Sequence, residues 1–458
     1  MRKSKIGLQL TPSTVLPEDA IMLGESVIRA KKIPRSGPVI LKFGAYRQHV
    51  KIIPSPKING MRMSGALAAR MGIYAGHPSR VGLCLQYDAD TSTLALGPLI
   101  GVLVSRDYPD SPEKPFGSIT MFCRELVEAC KAQGAYVFFF TPDLIGDSVG
   151  GTEGWVYTGI WQRVWLPAPD VINNRLTSRR LENRPNVKQF IAETKHAYGT
   201  SIFNEKFLDK TEVFDALQSN NDLRRYLPES HQLRNISTMK SMCSRYSSVF
   251  LKPVRGSLGK GIIRISRLSA DGYQAMHATS AGYRKQTYPT LGKLYASLAS
   301  KMKTSRYQIQ QGLQLIEIGK RPVDFRALAQ KNAAGKWTIT SIVARTAGEQ
   351  HFVSNLARGG TLSPVGVAVA KANIGKNSQD AALRLRQAAL HIAQGVDESI
   401  PAHFGELGID LALDTNGKVW LLEVNSKPSK NDNTPLNEGK IRPSVRMMIQ
   451  YSRHLAGF

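Results

Sequence analysis

Cysteine is scarce. The 458-residue chain holds four, Cys84, Cys123, Cys130 and Cys243, with no CxxC pair and no neighbouring histidine pair. That excludes a disulfide-stapled scaffold and a Cys/His zinc site, and it fits a reducing compartment. Cys123 and Cys130 fall two turns apart on a predicted helix, where they read as small buried apolar side chains. Long apolar runs are also missing: charges or prolines interrupt each one, so no bilayer-spanning helix is expected. The N-terminal Met1-Arg2-Lys3-Ser4-Lys5-Ile6 is basic, but neither an apolar core nor a small-residue cleavage site follows it. No signal peptide is read, and a soluble, cytoplasmic chain is expected. Internal repeats and low-complexity tracts are absent from the sequence.

Acidic residues are in deficit, 35 Asp+Glu against 61 Lys+Arg, which leaves a formal charge of +26. Residues 1–100 carry fourteen Lys/Arg against Glu18, Asp19, Glu25, Asp88 and Asp90, a local +9. Such an excess calls for a polyanionic partner, with nucleic acid the default. Yet no RNP motif, zinc-finger spacing or basic-zipper pattern is present, and the charge is spread along the chain. Nucleic acid therefore rests on charge alone. An anionic polymer, or an acidic substrate such as a glutamate-containing peptide or cell-wall fragment, is the sharper reading. The remaining composition, 42% hydrophobic and 8% aromatic, suits an ordinary globular chain with two or three cores.

Three regions follow. Residues 1–97 alternate short strands (39–43, 49–53, 81–85) with Gly and Pro and one helical stretch at 64–71, which predicts a small β-rich module, a barrel in one reading. Residues 98–200 open with Leu99-Ile-Gly-Val-Leu-Val104, a continuous apolar run typical of a buried parallel strand. A helix-period stretch, 118–133, and the strand 135–140 complete a βαβ unit. Residues 201–458 mix helices with antiparallel hairpins: a helix capped by Asp209, strands 248–253, 324–329 and 338–345, and a long helix over 379–395.

The chemistry concentrates in one hairpin. Ile409–Asp414 and Val419–Asn425 flank Asn416-Gly417, a strong two-residue turn signal. With Thr415 facing Lys418, Ile409, Leu411 and Leu413 fall opposite Val424, Leu422 and Trp420, and Asp410 falls opposite Glu423, with Asn425 on the same side. A lone carboxylate pair on a sheet is ordinarily a solvated surface. Here a third oxygen ligand stands beside it, and oxygen-only donors suit Mg²⁺ held with substrate phosphates. Upstream, Lys252-Pro-Val-Arg-Gly256-Ser-Leu-Gly259-Lys260-Gly261 follows a strand. It is neither a Walker A loop nor GxGxxG, but its close-set amides and lysines can cover polyphosphate. Lys252, at a strand end, is better placed than Lys260 for a fixed phosphate contact.

The order Asp209-Lys210, Lys252 before a Gly loop, Asp324-Phe-Arg326, Arg345, Asn355-Leu-Ala-Arg-Gly-Gly360 and Glu423-Val-Asn425 resembles the ATP-grasp superfamily over roughly residues 200–430. The stretches Phe203-Asn204-x-x-Phe207-Leu-Asp-Lys210, Val249-Phe-Leu-Lys-Pro253, Glu423-Val-Asn-Ser-Lys-Pro428 and Leu166-Pro-Ala-Pro-Asp-Val-Ile-Asn-Asn-Arg175 are similar to the YheC/YheD family of endospore coat-associated ATP-grasp proteins. The resemblance implies an α/β and α+β chain: two α+β subdomains clasping ATP, preceded by a βαβ pre-ATP-grasp domain and the β module. It implies an ATP-dependent carboxylate–amine ligase acting through an acyl phosphate, with unknown carboxylate and amine substrates and possible spore association.

By position, the resemblance places Lys210 and Lys252 on the α- and β-phosphates and Gly256, Ser257, Gly259 and Lys260 in a lid. Backbone groups of Gln311 and Leu313 would read adenine, and Asp410, Glu423 and Asn425 would hold two Mg²⁺. Arg345 would face the γ-phosphate, supported by Asp324 and Arg326, with Asn355 and Gly360 on the acceptor side. The unusually long spacer 314–323 blurs the hinge. Such chemistry needs charge neutralisation and positioning rather than a protein nucleophile. His351 reads as a loop histidine. A vestigial, structural coat protein, for which the charge and the β module argue, is the alternative.

Overall fold

The computed structural model describes residues 5–74, 80–146, 150–254, 261–268, 272–279, 282–348, 360–375, 379–430 and 441–458. The N-terminal module is a closed barrel of seven strands that mixes parallel and antiparallel pairs. Alternation builds it: in Pro38–Phe43 the side chains of Val39, Leu41 and Phe43 point inward, where they meet Leu8, Ile21, Leu23, Met63 and Leu94. The helix Gly65–Arg70 starts where Ser64 Oγ accepts the Leu67 N–H at 3.2 Å.

Behind the barrel lies a six-stranded sheet. Leu99–Leu103, buried along its whole length, runs parallel to Tyr136–Phe140 and Val171–Asn174, and the hairpin Gly151–Tyr157/Trp161–Pro167 extends one edge. Barrel and sheet share one hydrophobic core, in which Phe43 and Leu96 join Leu99, Phe138 and Phe140. The helix Thr120–Gln133 covers the sheet and buries Cys123 and Cys130. The four cysteines form no disulfide and are buried, and burial pushes the Cys130 thiol up, the opposite of activation. The C-terminal helix Pro443–Leu455 returns to pack on Thr120–Gln133, with Val445, Met448 and Ile449 against Phe122 and Leu126.

The remaining chain forms two further sheets. One runs, edge to edge, through Ser230–Gln232, Tyr307–Gln311, Ser248–Pro253, Ile263–Arg267, Tyr273–Thr279 and Gly282–Tyr288. Its outer face packs Val249, Leu251, Ile263, Ile265 and Ile309 on the helices Ile236–Arg245 and Leu291–Thr304. The other runs through Thr361–Ser363, Trp337–Thr346, Arg321–Lys331, Glu406–Leu413 and Val419–Asn425, backed by Lys210–Gln218 and Ala381–Ser399. The spacer 314–323 is structured: Leu315 bridges to Asp414, and Glu317–Ile318 turns back on Arg321 and Pro322. Gly312 begins the crossing, with its N–H on the Ser248 carbonyl at 2.9 Å; a side chain there would collide with Ser248. Among the described residues, no helix is long and apolar enough to cross a membrane.

Candidate active site

Alternation along Arg321–Lys331 sends Val323, Phe325, Ala327 and Ala329 into the helix-backed core and leaves Asp324 and Arg326 on the opposite face. Cross-strand register then assembles a polar row. Asp324 pairs with Arg345, Arg326 with Asp410, Asp410 with Glu423, and Gly408 with Asn425. Arg345 Nε donates to Asp324 Oδ1 at 2.5 Å, and its Nη2 reaches Asp410 Oδ2 at 3.1 Å. Arg326 grips Asp410 with Nε on Oδ1 and Nη2 on Oδ2, the second at 3.1 Å. Burial alone would raise the Asp410 pKa, but the two guanidiniums override it and hold the carboxyl down at about 2. For Arg345, burial opposes the charge, while Asp410 and Asp324 push the pKa above its ordinary value.

The hairpin reaches this register by an unexpected route. The turn is not the predicted two-residue one: Asp414 N–H bonds the Lys418 carbonyl, enclosing Thr415, Asn416 and Gly417, with Gly417 at φ +80°. That shifts the tip by one residue, so Leu411 faces Leu421 and Leu413 faces Val419 rather than Leu422 and Trp420. A bulge after Asp410 then restores the expected pairing of Asp410 with Glu423 and Ile409 with Val424. The buried face opposite Ile409, Leu411 and Leu413 is therefore Val424, Leu421 and Val419.

Two lysines close on the row. Asp209 Oδ1 accepts the N–H groups of Thr211 and Glu212 at 2.9 and 3.2 Å, so Lys210 is the first residue of its helix; its Nζ lies 3.1 Å from Glu423 Oε1. Lys252 comes from the facing sheet and donates to Gln310 Oε1, while Gln310 Nε2 donates to Ser230 Oγ at 2.9 Å. Burial, reinforced by Lys210 and opposed by Glu423 and Asp410, lowers the Lys252 pKa to about 8. Four cations, Lys210, Lys252, Arg326 and Arg345, thus meet three carboxylates, Asp324, Asp410 and Glu423.

A model of the YheC/D-like ATP-grasp family matches residues 199–455, the segment that supplies every one of these groups. The chain belongs to that family. The endospore coat-associated protein YheD of Bacillus subtilis (strain 168) is 29% identical over 341 residues, 74% of each chain. YheC of the same organism is 23% identical over 315 residues, 68% of this chain and 85% of its own. Among solved structures, D-cycloserine synthetase DcsG aligns with a TM-score of 0.47 at 12% identity, covering 78% of this chain and 99% of its own. VanG D-Ala:D-Ser ligase from Enterococcus faecalis aligns at 0.47 and 10%, covering 79% and 99%.

The other residues expected at the ATP-grasp site are distributed as follows. Gly256, Ser257, Gly259, Lys260 and Asn355 lie outside the described residues. Gly360 sits half-buried just before Thr361–Ser363, the strand beside Arg345. Leu313 is half-buried on the crossing between sheets, but the Gln311 N–H is already bonded to the Glu229 carbonyl at 2.8 Å. A base-reading amide at Gln311 would have to break a sheet-edge bond.

Oxygen donors that suit Mg²⁺ are present. Glu423 and Asn425 share one face of their strand, and Asp410 uses three of the roughly four lone-pair positions a carboxylate offers. Among the described residues, no point gathers three His, Cys, Asp or Glu side chains. The set available to a metal is two carboxylates and an amide.

Ser426 escaped the sequence reading. It is 1% exposed, follows Asn425 directly, donates to the Lys206 carbonyl at 2.7 Å and accepts the Leu208 N–H at 3.2 Å. It ties the end of the donor strand to the segment that leads into Lys210. Its only signal was its place between Asn425 and Lys427 in a quoted motif. A second ionic cluster lies on the same face of Glu406–Leu413. Glu406 holds Arg175 and, at 2.6 Å, Lys430, and Arg175 Nη2 donates to the Pro428 carbonyl at 2.6 Å. Beside it Lys427 pairs with Glu182. This cluster joins the ATP-grasp sheet to the carboxyl end of the strand Val171–Asn174.

Proposed function

We propose that the chain is an ATP-dependent carboxylate–amine ligase that works through an acyl phosphate. The observation that carries this reading is the single polar sheet face bearing Arg345, Asp324, Arg326, Asp410, Glu423 and Asn425, opposed by Lys210 and Lys252. In this reading Lys210 and Lys252 hold the α- and β-phosphates, and Glu423, Asn425 and Asp410 hold Mg²⁺, which supplies charge neutralisation on the phosphate oxygens. Arg345, fixed by Asp324 and Asp410, faces the γ-phosphoryl group and stabilises charge as it moves. A substrate carboxylate oxygen attacks the γ-phosphorus, the bridging P–O bond breaks and ADP leaves. An amine then attacks the acyl carbon, and phosphate departs with the bonding pair while the amine loses a proton. Arg326 acts as a positioning residue, since its guanidinium grips Asp410 through two bonds.

Calorimetric titration of ATP with Mg²⁺ into wild type, Lys252→Met and Glu423→Ala is the test, followed by product analysis with candidate carboxylate and amine pairs. Metal-dependent binding weakened by both substitutions, and release of ADP and phosphate, are expected. Release of AMP and pyrophosphate would refute the acyl-phosphate route. A second reading, a structural protein of the spore coat that has kept its nucleotide fold, draws on the coat association in the relatives' names and on the +26 charge. A folded wild type that binds no ATP but co-sediments with spore-layer polymers at low salt would favour it.

A further inference from the structure

The Gln311 N–H is committed to the sheet, so Gln310-Gln311 must serve some purpose other than reading a base through that amide. Alternation along Tyr307–Gln311 turns Ile309 into the helix-backed core and Gln310 onto the opposite face, the one that carries Lys252. Gln310 is 2% exposed. Its direct neighbours across the sheet are Phe250 on one side and Ser230 on the other. A primary amide buried in such a place has two donors and an acceptor to satisfy, and its partners fix which end points where.

The resulting chain of bonds has one polarity. The Lys252 ammonium can only donate, so Gln310 Oε1 faces it. Gln310 Nε2 then points at Ser230 Oγ, which accepts at 2.9 Å and gives its own hydrogen to the Pro228 carbonyl at 3.0 Å. Gln311 pins the far end of this strut. Its N–H donates to the Glu229 carbonyl at 2.8 Å, and its Oε1 accepts the Glu229 N–H at 3.2 Å. The Glu229 carboxylate accepts in turn from Arg245 Nη1 at 2.7 Å and from the Tyr246 hydroxyl at 2.6 Å, which ties the strand Ser230–Gln232 to the end of the helix Ile236–Arg245. Adjacent glutamines thus act on the two ends of one strut, Gln310 on the lysine and Gln311 on the segment that carries Ser230.

We propose that Gln310 is a positioning residue of the nucleotide site: backed by Ser230 and Gln311, it holds Lys252 in place as a full, uncancelled positive charge for polyphosphate. The proposal rests on the ligase reading only in taking Lys252 as a phosphate contact. The choice of an amide decides the electrostatics. Gln310 Oε1 occupies one of the three ammonium hydrogens, leaves two for phosphate oxygens and adds no negative charge. Lys210, by contrast, lies 3.1 Å from the Glu423 carboxylate, so part of its charge is offset before a ligand arrives. The charged groups that act on Lys252 through space are Lys210, Glu423 and Asp410. A glutamate at position 310 would keep the shape and strengthen the bond to Lys252, but it would cancel the charge and draw the Ser230 hydrogen away from the Pro228 carbonyl. The strut would be stronger and the site weaker.

The experiment compares the full chain with Gln310→Glu, Ser230→Ala and Lys252→Met by two readouts. Trace acetylation of the ligand-free protein across pH, followed by mass spectrometry, reports the Lys252 amine directly and needs no ATP. The wild-type inflection is expected at about 8. Gln310→Glu should raise it by about 1 pH unit or more, a shift that a merely structural glutamine would not produce. Calorimetry with Mg-ATP at pH 7 is the second readout. Gln310→Glu should weaken binding at least about tenfold although its bond to Lys252 is the stronger one. Ser230→Ala should weaken it several-fold, and it carries the test if Gln310→Glu folds poorly. An inflection unmoved in Gln310→Glu would overturn the role of Gln310 and leave the ligase reading standing. So would ATP affinity that Lys252→Met abolishes but Gln310→Glu and Ser230→Ala leave unchanged. Mg-ATP that binds no better to the wild type than to Lys252→Met would overturn the phosphate contact at Lys252, and the proposal with it, even with the inflection shifted.

Discussion

Replacing Lys252 with methionine should stabilise the ligand-free protein while removing most of its nucleotide affinity. Burial brings the Lys252 pKa from 10.5 to about 8. The unfolded chain therefore binds this proton more tightly than the folded one, so stability rises as pH increases from about 8 to about 10.5. At pH 7 the protonated side chain costs the fold up to about 3 kcal/mol, and roughly half that once the part of Lys252 still in contact with solvent is counted. Methionine keeps the packed stem but leaves Gln310 Oε1 without its donor, a loss of about 1 kcal/mol, so a net gain of about 0.5 kcal/mol is expected in urea unfolding at pH 7. Polyphosphate beside Lys252 should return its pKa to the ordinary range. Binding of Mg-ATP should then take up about half a proton at pH 8 and about nine-tenths at pH 9. Calorimetry in two buffers of different ionisation enthalpy measures this number directly. Equal proton uptake by wild type and Lys252→Met at pH 8.5 would refute the argument.

Asp410→Asn leaves two buried guanidiniums facing a neutral amide and should destabilise the fold by about 3–5 kcal/mol. Because the Asp410 pKa is depressed to about 2, the stability gap between wild type and this variant should be flat down to about pH 4 and close only as pH falls through the carboxylate range, measured by urea unfolding at each pH. Ser426→Ala should weaken ATP binding several-fold at temperatures well below melting; a lower melting temperature with unchanged ATP affinity would make Ser426 merely structural. Glu406→Gln should split a single calorimetric transition into two, because Arg175 and Lys430 then lose the carboxylate that joins the second sheet to the ATP-grasp sheet.

Parts of this site are legible in sequence and parts are not, for physical reasons. The pairing of Asp410 with Glu423 follows from alternation, because a one-residue slip would turn Ile409 and Val424 away from the core. The bulge is hidden in Val419-Trp-Leu-Leu422, a run of apolar residues in which alternation carries no register. The longer turn depends on Asp414 capping the amides of Asn416 and Lys418, a local competition that Asn416-Gly417 masks. The grip of Arg326 and Arg345 on Asp410 required the strand order, since 84 residues separate Arg326 from its partner. In the barrel, short parallel pairs between distant segments, such as Leu8 with Met61, leave no local pattern. The destination of the C-terminal helix, beside Thr120–Gln133, was equally unreadable.

The charge inventory of the site leads to one more prediction. Four cations facing three carboxylates leave an excess of one positive charge on the described side chains. ATP with four negative charges and a substrate carboxylate with one more would leave the closed site four charges negative. A single Mg²⁺ would still leave two of these negative charges uncompensated in a low-dielectric cleft; Lys260, which the family resemblance places in the lid, would offset one of them, and a second ion the other. Two ions are therefore expected per bound nucleotide and carboxylate, and Asp410, Glu423 and Asn425 would be the donors that hold them. Counting bound Mn²⁺ by electron paramagnetic resonance, at saturating non-hydrolysable ATP analogue, should give two in the wild type. Glu423→Gln should give fewer than two, with the Lys210 contact relaxed and the fold intact by circular dichroism. One ion in the wild type would mean that the lysines and arginines neutralise the charge that ion leaves, and would refute the two-ion argument.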